Sequence, residues 1–183
     1  MHTSIFSDDF KITKADYEYR YQETLTKKLD AISSDFDQKT LNEIVLWKVN
    51  RYAEFDSDLI SMINSIDQTQ TELDIDKTKL LLRLLIKTKG VRLPMASTIL
   101  KFRNPNIYQI IDQRVYRIIY EGMELKIKAD PKDEDLEYQI ELYLKYLKDL
   151  SKVCSDLDIP FTMADRILYM ADKRVNKGSN LKY

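Results

Sequence analysis

Residues 84–117, LLIKTKGVRLPMASTILKFRNPNIYQIIDQRVYR, constrain this chain more than any other stretch. Two apolar runs of helical period meet there at a turn holding Gly90, one of only three glycines in 183 residues. A third helical run opens at Asp112. Four prolines complete the set of strong breakers, and alternating polar–apolar patterns elsewhere are short. Such a chain has little material for a sheet. Apolar residues recurring every three to four positions predict an all-α protein, a helical bundle.

The pattern divides the chain into a flexible lead-in over 1–14, a single all-α domain over 15–175 and a disordered tail over 176–183. Within the domain a first helix is predicted over 15–32. A second, over 38–54, carries Leu41, Ile44, Val45, Val49 and Tyr52 at helical spacing, with Trp47 as its packing anchor. A short helix is predicted over 57–66 and a polar connection over 67–72. The helix over 73–89 should bury Leu80, Leu81, Leu84 and Leu85. Lys79, Arg83 and Lys87 then fall on another face, in a row of step four.

Gly90 closes that helix, since glycine readily takes the left-handed conformation past a helix end. Pro94 suits the first turn of the next helix, over 94–103, where a missing N–H is harmless. Ala96, Ile99 and Leu100 face inward there, and the small Ala96 permits close approach of two helices. A helix over 112–120 follows. The longest is predicted over 134–157, with Leu136, Ile140, Tyr143, Leu147, Leu150, Cys154 and Leu157 on one stripe. Thr162 is expected to cap a last helix through 174, with Ala164, Ile167, Leu168 and Ala171 inward. No internal repeat or low-complexity segment is present.

Charge is distributed unevenly. Residues 77–117 hold ten lysines and arginines (Lys77, Lys79, Arg83, Lys87, Lys89, Arg92, Lys101, Arg103, Arg114 and Arg117) and one acid, a net +9. The whole chain is −1, so the remaining 142 residues carry −10. A basic island in an acidic chain points to a polyanion, with duplex DNA bound through its phosphates as the natural partner. The acids Asp133, Glu134, Asp135 and Glu137 read as a solvated helix start favoured by the dipole, and Asp165 reads the same way.

Residue types also exclude chemistry. Cys154 is the only cysteine and His2 the only histidine. An internal disulfide, a four-cysteine iron–sulfur cluster, a histidine zinc site and a Ser-His-Asp triad are all unavailable within one chain. No stretch approaches the roughly 18–20 apolar residues of a membrane span, and the N-terminus has no signal-peptide pattern. The expectation is a cytoplasmic protein with no membrane association, no metal and no cofactor.

A helix, a tight turn with glycine and a second helix packed by alanine follow the plan of a helix-hairpin-helix. Its turn and second-helix N-terminus leave N–H groups free for a DNA phosphate, without reading sequence. Lys87, Lys89, Gly90, Val91, Arg92, Met95, Lys101 and Arg114 are the candidate DNA-binding residues. The run KGVRLPMASTIL is similar to the hairpin of the helix-hairpin-helix base-excision DNA glycosylases, the superfamily of endonuclease III and the 8-oxoguanine glycosylases. The run Ile110-Ile111-Asp112-Gln113-Arg114-Val115-Tyr116-Arg117 resembles the segment that follows the hairpin in those enzymes. Together these matches cover about 35 residues of 183.

The resemblance implies a glycosylase-like fold and a role in base-excision repair, with Asp112 at the position of the catalytic aspartate. It departs from the family at Arg92, where a second hairpin glycine is expected, and at Pro94, where the lyase-type enzymes carry their lysine. A Schiff-base lyase mechanism at that position is therefore not available. The activity implied is a monofunctional N-glycosylase, a hydrolase. Two alternatives stand beside it: a non-catalytic DNA-binding protein on the same scaffold, and a helical protein-interaction module whose basic surface meets an acidic partner.

Overall fold

The computed structural model describes residues 21–33, 35–49 and 52–177. The lead-in over 1–14, the expected start of the first helix and most of the tail lie outside the described residues. Among those described, the secondary structure is helical, in eight α-helices and a 3-10 turn with no strand. No described helix is long and apolar enough to cross a membrane. Backbone contacts divide the chain into two compact units, residues 1–52 and 53–183.

The first unit contains α1 (Glu23–Asp30) and α2 (Gln38–Lys48). Asp37 starts α2 by accepting the Thr40 N–H at 2.7 Å. Trp47 does anchor the pair: its indole N–H donates to Thr26 Oγ1 at 2.9 Å, and the Tyr21 ring meets it edge-on at 5.3 Å. The apolar residues of α2 behave differently from expectation. Leu41, Val45 and Val49 are exposed, while Glu43 is buried and paired with Lys28 at 2.6 Å. The ion pair and the indole, rather than the aliphatic stripe, hold α2 to α1.

The second unit comprises α3 (Ser57–Asn64), α4 (Ile75–Lys87), α5 (Leu93–Arg103), α6 (Gln113–Ile119), α7 (Asp133–Leu157) and α8 (Ala164–Val175). Aspartates at Asp56, Asp74 and Asp112 cap α3, α4 and α6 through the N–H groups of Leu59, Lys77 and Val115. Each satisfies one otherwise unpaired donor of a first turn. The core gathers Leu81, Leu82 and Leu85 of α4, Ala96 and Leu100 of α5, Val115 of α6, Ile140, Tyr143 and Leu150 of α7, and Leu168 of α8.

The segment between α5 and α6 crosses this core as irregular backbone, so its polar groups need partners. Tyr143 and Tyr146 of α7 donate to the carbonyls of Gln109 and Ile110 at 2.9 and 2.7 Å. The Ile111 N–H donates to Ser97 Oγ at 3.2 Å. The buried Asn104 amide donates to the Asp67 and Gln70 carbonyls, fixing the polar connection between α3 and α4.

Several inward assignments change. Leu80 and Leu157 are exposed, and Ile167 lies at the surface. Thr162 does not cap the last helix: it sits inside the 3-10 turn Phe161–Met163, and α8 begins at Ala164 with no side-chain cap. The turn tightens the chain directly after Pro160, so the hydroxyl stands inside a helical turn rather than ahead of it.

Candidate nucleic-acid interface and the Asp112 site

The α4–α5 junction is built from its backbone outward. Helix α4 ends at Lys87, with Thr88 as an extended C-cap whose hydroxyl donates to the Leu84 carbonyl at 3.0 Å. Gly90 has φ 85°, a left-handed geometry that costs glycine little. The Val91 N–H then closes the turn onto the Thr88 carbonyl at 3.0 Å. Val91 and Leu93 are buried and pin the turn from below. Arg92 is the N-cap of α5 but supplies no side-chain cap. The first-turn N–H groups of α5 thus lack a side-chain acceptor, except at Pro94, which has no N–H to offer.

Of the eight candidate DNA-binding residues, Lys89, Gly90, Arg92 and Met95 come together on the exposed side of this junction. Lys89 and Arg92 have no ion-pair partner among the described residues. Lys87 is exposed but reaches Asp133 at 3.2 Å. The Val91 side chain is buried, so only backbone can be presented there.

Lys101, expected at the surface, is 3 % exposed and faces the equally buried Asp165 at 3.9 Å. It lies on the core side of α5, and a buried ammonium requires a counter-charge. Arg114 pairs with Asp172 at 3.1 Å, and Arg117 joins the same carboxylate at 2.6 Å.

The basic island is therefore largely answered from within. Lys79, Arg83 and Lys87, the row on α4, meet Glu141, Glu137 and Asp133 on α7 at 2.5, 2.6 and 3.2 Å. Arg83 engages both Glu137 oxygens. Lys77 and Arg103 donate to the Ser65 and Asn64 carbonyls. The acids that read as a solvated helix start are in part the other half of an interhelical ladder.

Asp112 stands at the start of α6, partly buried, with Oδ1 accepting the Val115 N–H at 2.8 Å. Burial pushes its carboxyl above the usual aspartate range; hydrogen bonds from the Val115 and Arg114 N–H groups offset part of this, and the neighbouring Asp165 adds to it. A raised carboxyl pKa beside a second carboxylate is a feature of acid–base sites and of structural clusters alike. Clefts of about 770, 410 and 240 Å³ lined by described residues open on the second unit, and neither Asp112 nor the 88–92 turn lines these three. Among the described residues no group of three or more His, Cys, Asp or Glu is placed to hold a metal.

Asp165, expected as a solvated acid at a helix start, is instead buried, and so is Asp172, an acid not singled out from the sequence. Both are buried on the core face of α8 with Ala164 and Leu168. The signal was present: acids seven positions apart that share a helical face with a leucine point inward together. Set against protein-family models, curated proteins and solved structures, the chain matches none.

Proposed function

We propose that this chain is a helix-hairpin-helix protein that binds duplex DNA through a phosphate held at the 88–95 junction. The observation that carries the reading is the exposed Gly90 turn and uncapped α5 N-terminus, flanked by Lys89 and Arg92, two cations left without an internal acid. Backbone donors and the helix dipole favour an anion there, and the two side chains add long-range attraction. Asp112, at the head of α6, is the proposed catalytic carboxylate of a monofunctional N-glycosylase. An extruded damaged base would expose its glycosidic bond, and the carboxylate would stabilise the developing positive sugar or orient the attacking water. Pro94 leaves no amine for a lyase step at that position.

A salt titration of duplex binding tests the interface. Two phosphate-facing cations give a slope of log K against log salt near about −1.8. A flat response, or no binding at low salt, removes DNA as the partner. Abasic-site formation on a panel of damaged duplexes, wild type beside Asp112→Asn, tests the chemistry. Equal activity in the two proteins removes Asp112 from the mechanism.

A second reading, a DNA-binding protein without catalysis, is favoured by the engagement of Asp112 Oδ1 as a cap. Salt-dependent binding with no base release on any duplex selects it.

A further inference from the structure

The largest of the three clefts lies away from the hairpin. It opens between the start of α4, the 106–107 segment and the outer face of α7, with Phe161 among its lining residues. Its volume of about 770 Å³ falls within the range of small-molecule sites. Leu73, Ile107, Leu144, Leu147 and Phe161 supply apolar wall.

The charge around the cleft is one-sided. Lys79, Lys145 and Lys148 line it against a single acid, Glu141. Lys79 is answered by Glu141 at 2.5 Å. Lys145 is answered by Asp149 at 2.5 Å, with its ammonium 5.0 Å from the centre of the Tyr120 ring. Lys148, exposed and one helical turn beyond Leu144, forms no ion pair among the described residues. An apolar trough with one ammonium outside any ion pair at its edge, though near enough to Asp149 to act on that carboxylate, suits a ligand with an apolar body and one negative head. A polyphosphate would leave the apolar wall unfilled, and a neutral hydrocarbon would leave the ammonium without an ion pair.

We propose that this cleft binds an amphipathic monocarboxylate, its acyl or aryl body against Leu144, Leu147 and Phe161 and its carboxylate at Lys148. The site is separate from the hairpin and independent of the DNA reading. The full chain is titrated with anilinonaphthalene sulfonate, which is then displaced by decanoate or by decanol.

Saturable probe binding, displaced by decanoate well before decanol, is the expected result. Lys148→Glu weakens decanoate about fivefold and leaves decanol unchanged. Ser151→Trp, which places an indole in the cleft mouth, abolishes displacement by both. Both substituted side chains are exposed, so far-UV circular dichroism should match wild type. Absence of saturable binding, or binding untouched by Ser151→Trp, overturns the site. Decanol competing as well as decanoate overturns the carboxylate assignment.

Discussion

Two aspartates illustrate how one residue type does opposite work in this chain. Asp112 caps α6 while burial disfavours its ionised form, so its charge costs stability at neutral pH. That cost is present above its raised folded pKa and disappears as pH falls below the unfolded value near about 3.9. Asp112→Ala removes the cap and should lower stability by about 1 kcal/mol. Asp112→Asn keeps an oxygen acceptor and sheds the charge, so urea unfolding should place it within about 0.5 kcal/mol of wild type. Under the proposed glycosylase activity, loss of base release in the Asn variant with stability kept would separate chemistry from capping. Asp172 runs the other way. Burial raises its pKa, but hydrogen bonds from Arg117, Asn176 and Arg114 outweigh this and hold the carboxyl below the usual range. Its contribution is therefore present above about pH 3.9 and is lost as pH falls through the lowered folded value. Asp172→Asn removes the buried charge that accepts from Arg114 and Arg117 and should cost about 3 kcal/mol at neutral pH. The variant should also lose less stability than wild type on acidification below about pH 4; an unchanged acid limb in urea titrations would contradict this.

At the level of elements, the α4–α7 ladder shows where local pattern stops being informative. The step-four row of Lys79, Arg83 and Lys87 is legible in the sequence, while Asp133 and Glu137 read there as a solvated helix start and Glu141, which completes their step-four row, is not singled out. Nothing local says that two rows some fifty residues apart will face each other in antiparallel order; the packing of α4 on α7 decides it. The same limit explains Lys101 and Asp165, which read as surface charges until α5 and α8 are brought together. Several local signals were legible, since Asp112, Gly90 and the start of α5 fall within a residue or two of expectation, whereas the cap expected at Thr162 is absent. The ladder also makes a measurable claim. Arg83 and Glu137 are 35 % and 47 % exposed, so their coupling should be about 0.5 kcal/mol at low salt and fade in about 1 M salt. Arg83→Glu should destabilise, and adding Glu137→Arg should restore most of the loss; a double-mutant cycle with no coupling refutes the ladder. Gly90→Ala forces a side chain into left-handed geometry and should cost about 1 kcal/mol by urea unfolding.

For the whole molecule, a net charge of −1 conceals an internal balance. The island's cations and the acidic remainder largely neutralise each other across α4–α7 and α6–α8; among the island's cations, Lys89 and Arg92 at the hairpin turn face outward without an ion pair to a described residue. The distribution of apolar burial is equally uneven. Every residue of the hydrophobic core cluster, and every partly buried apolar residue packed on it, lies at or beyond Ala53. In the described part of residues 1–52, Leu25 is the sole buried apolar side chain. Among the described residues of that unit, two short helices held by an indole and an ion pair bury little apolar surface to set against the entropy of ordering them. A unit of six helices around a continuous core has no such deficit. A chain cut to residues 53–183 should therefore keep a cooperative urea transition and the near-ultraviolet dichroism of its packed tyrosines. A non-cooperative melt of the 53–183 fragment would mean that the core cluster is not self-sufficient.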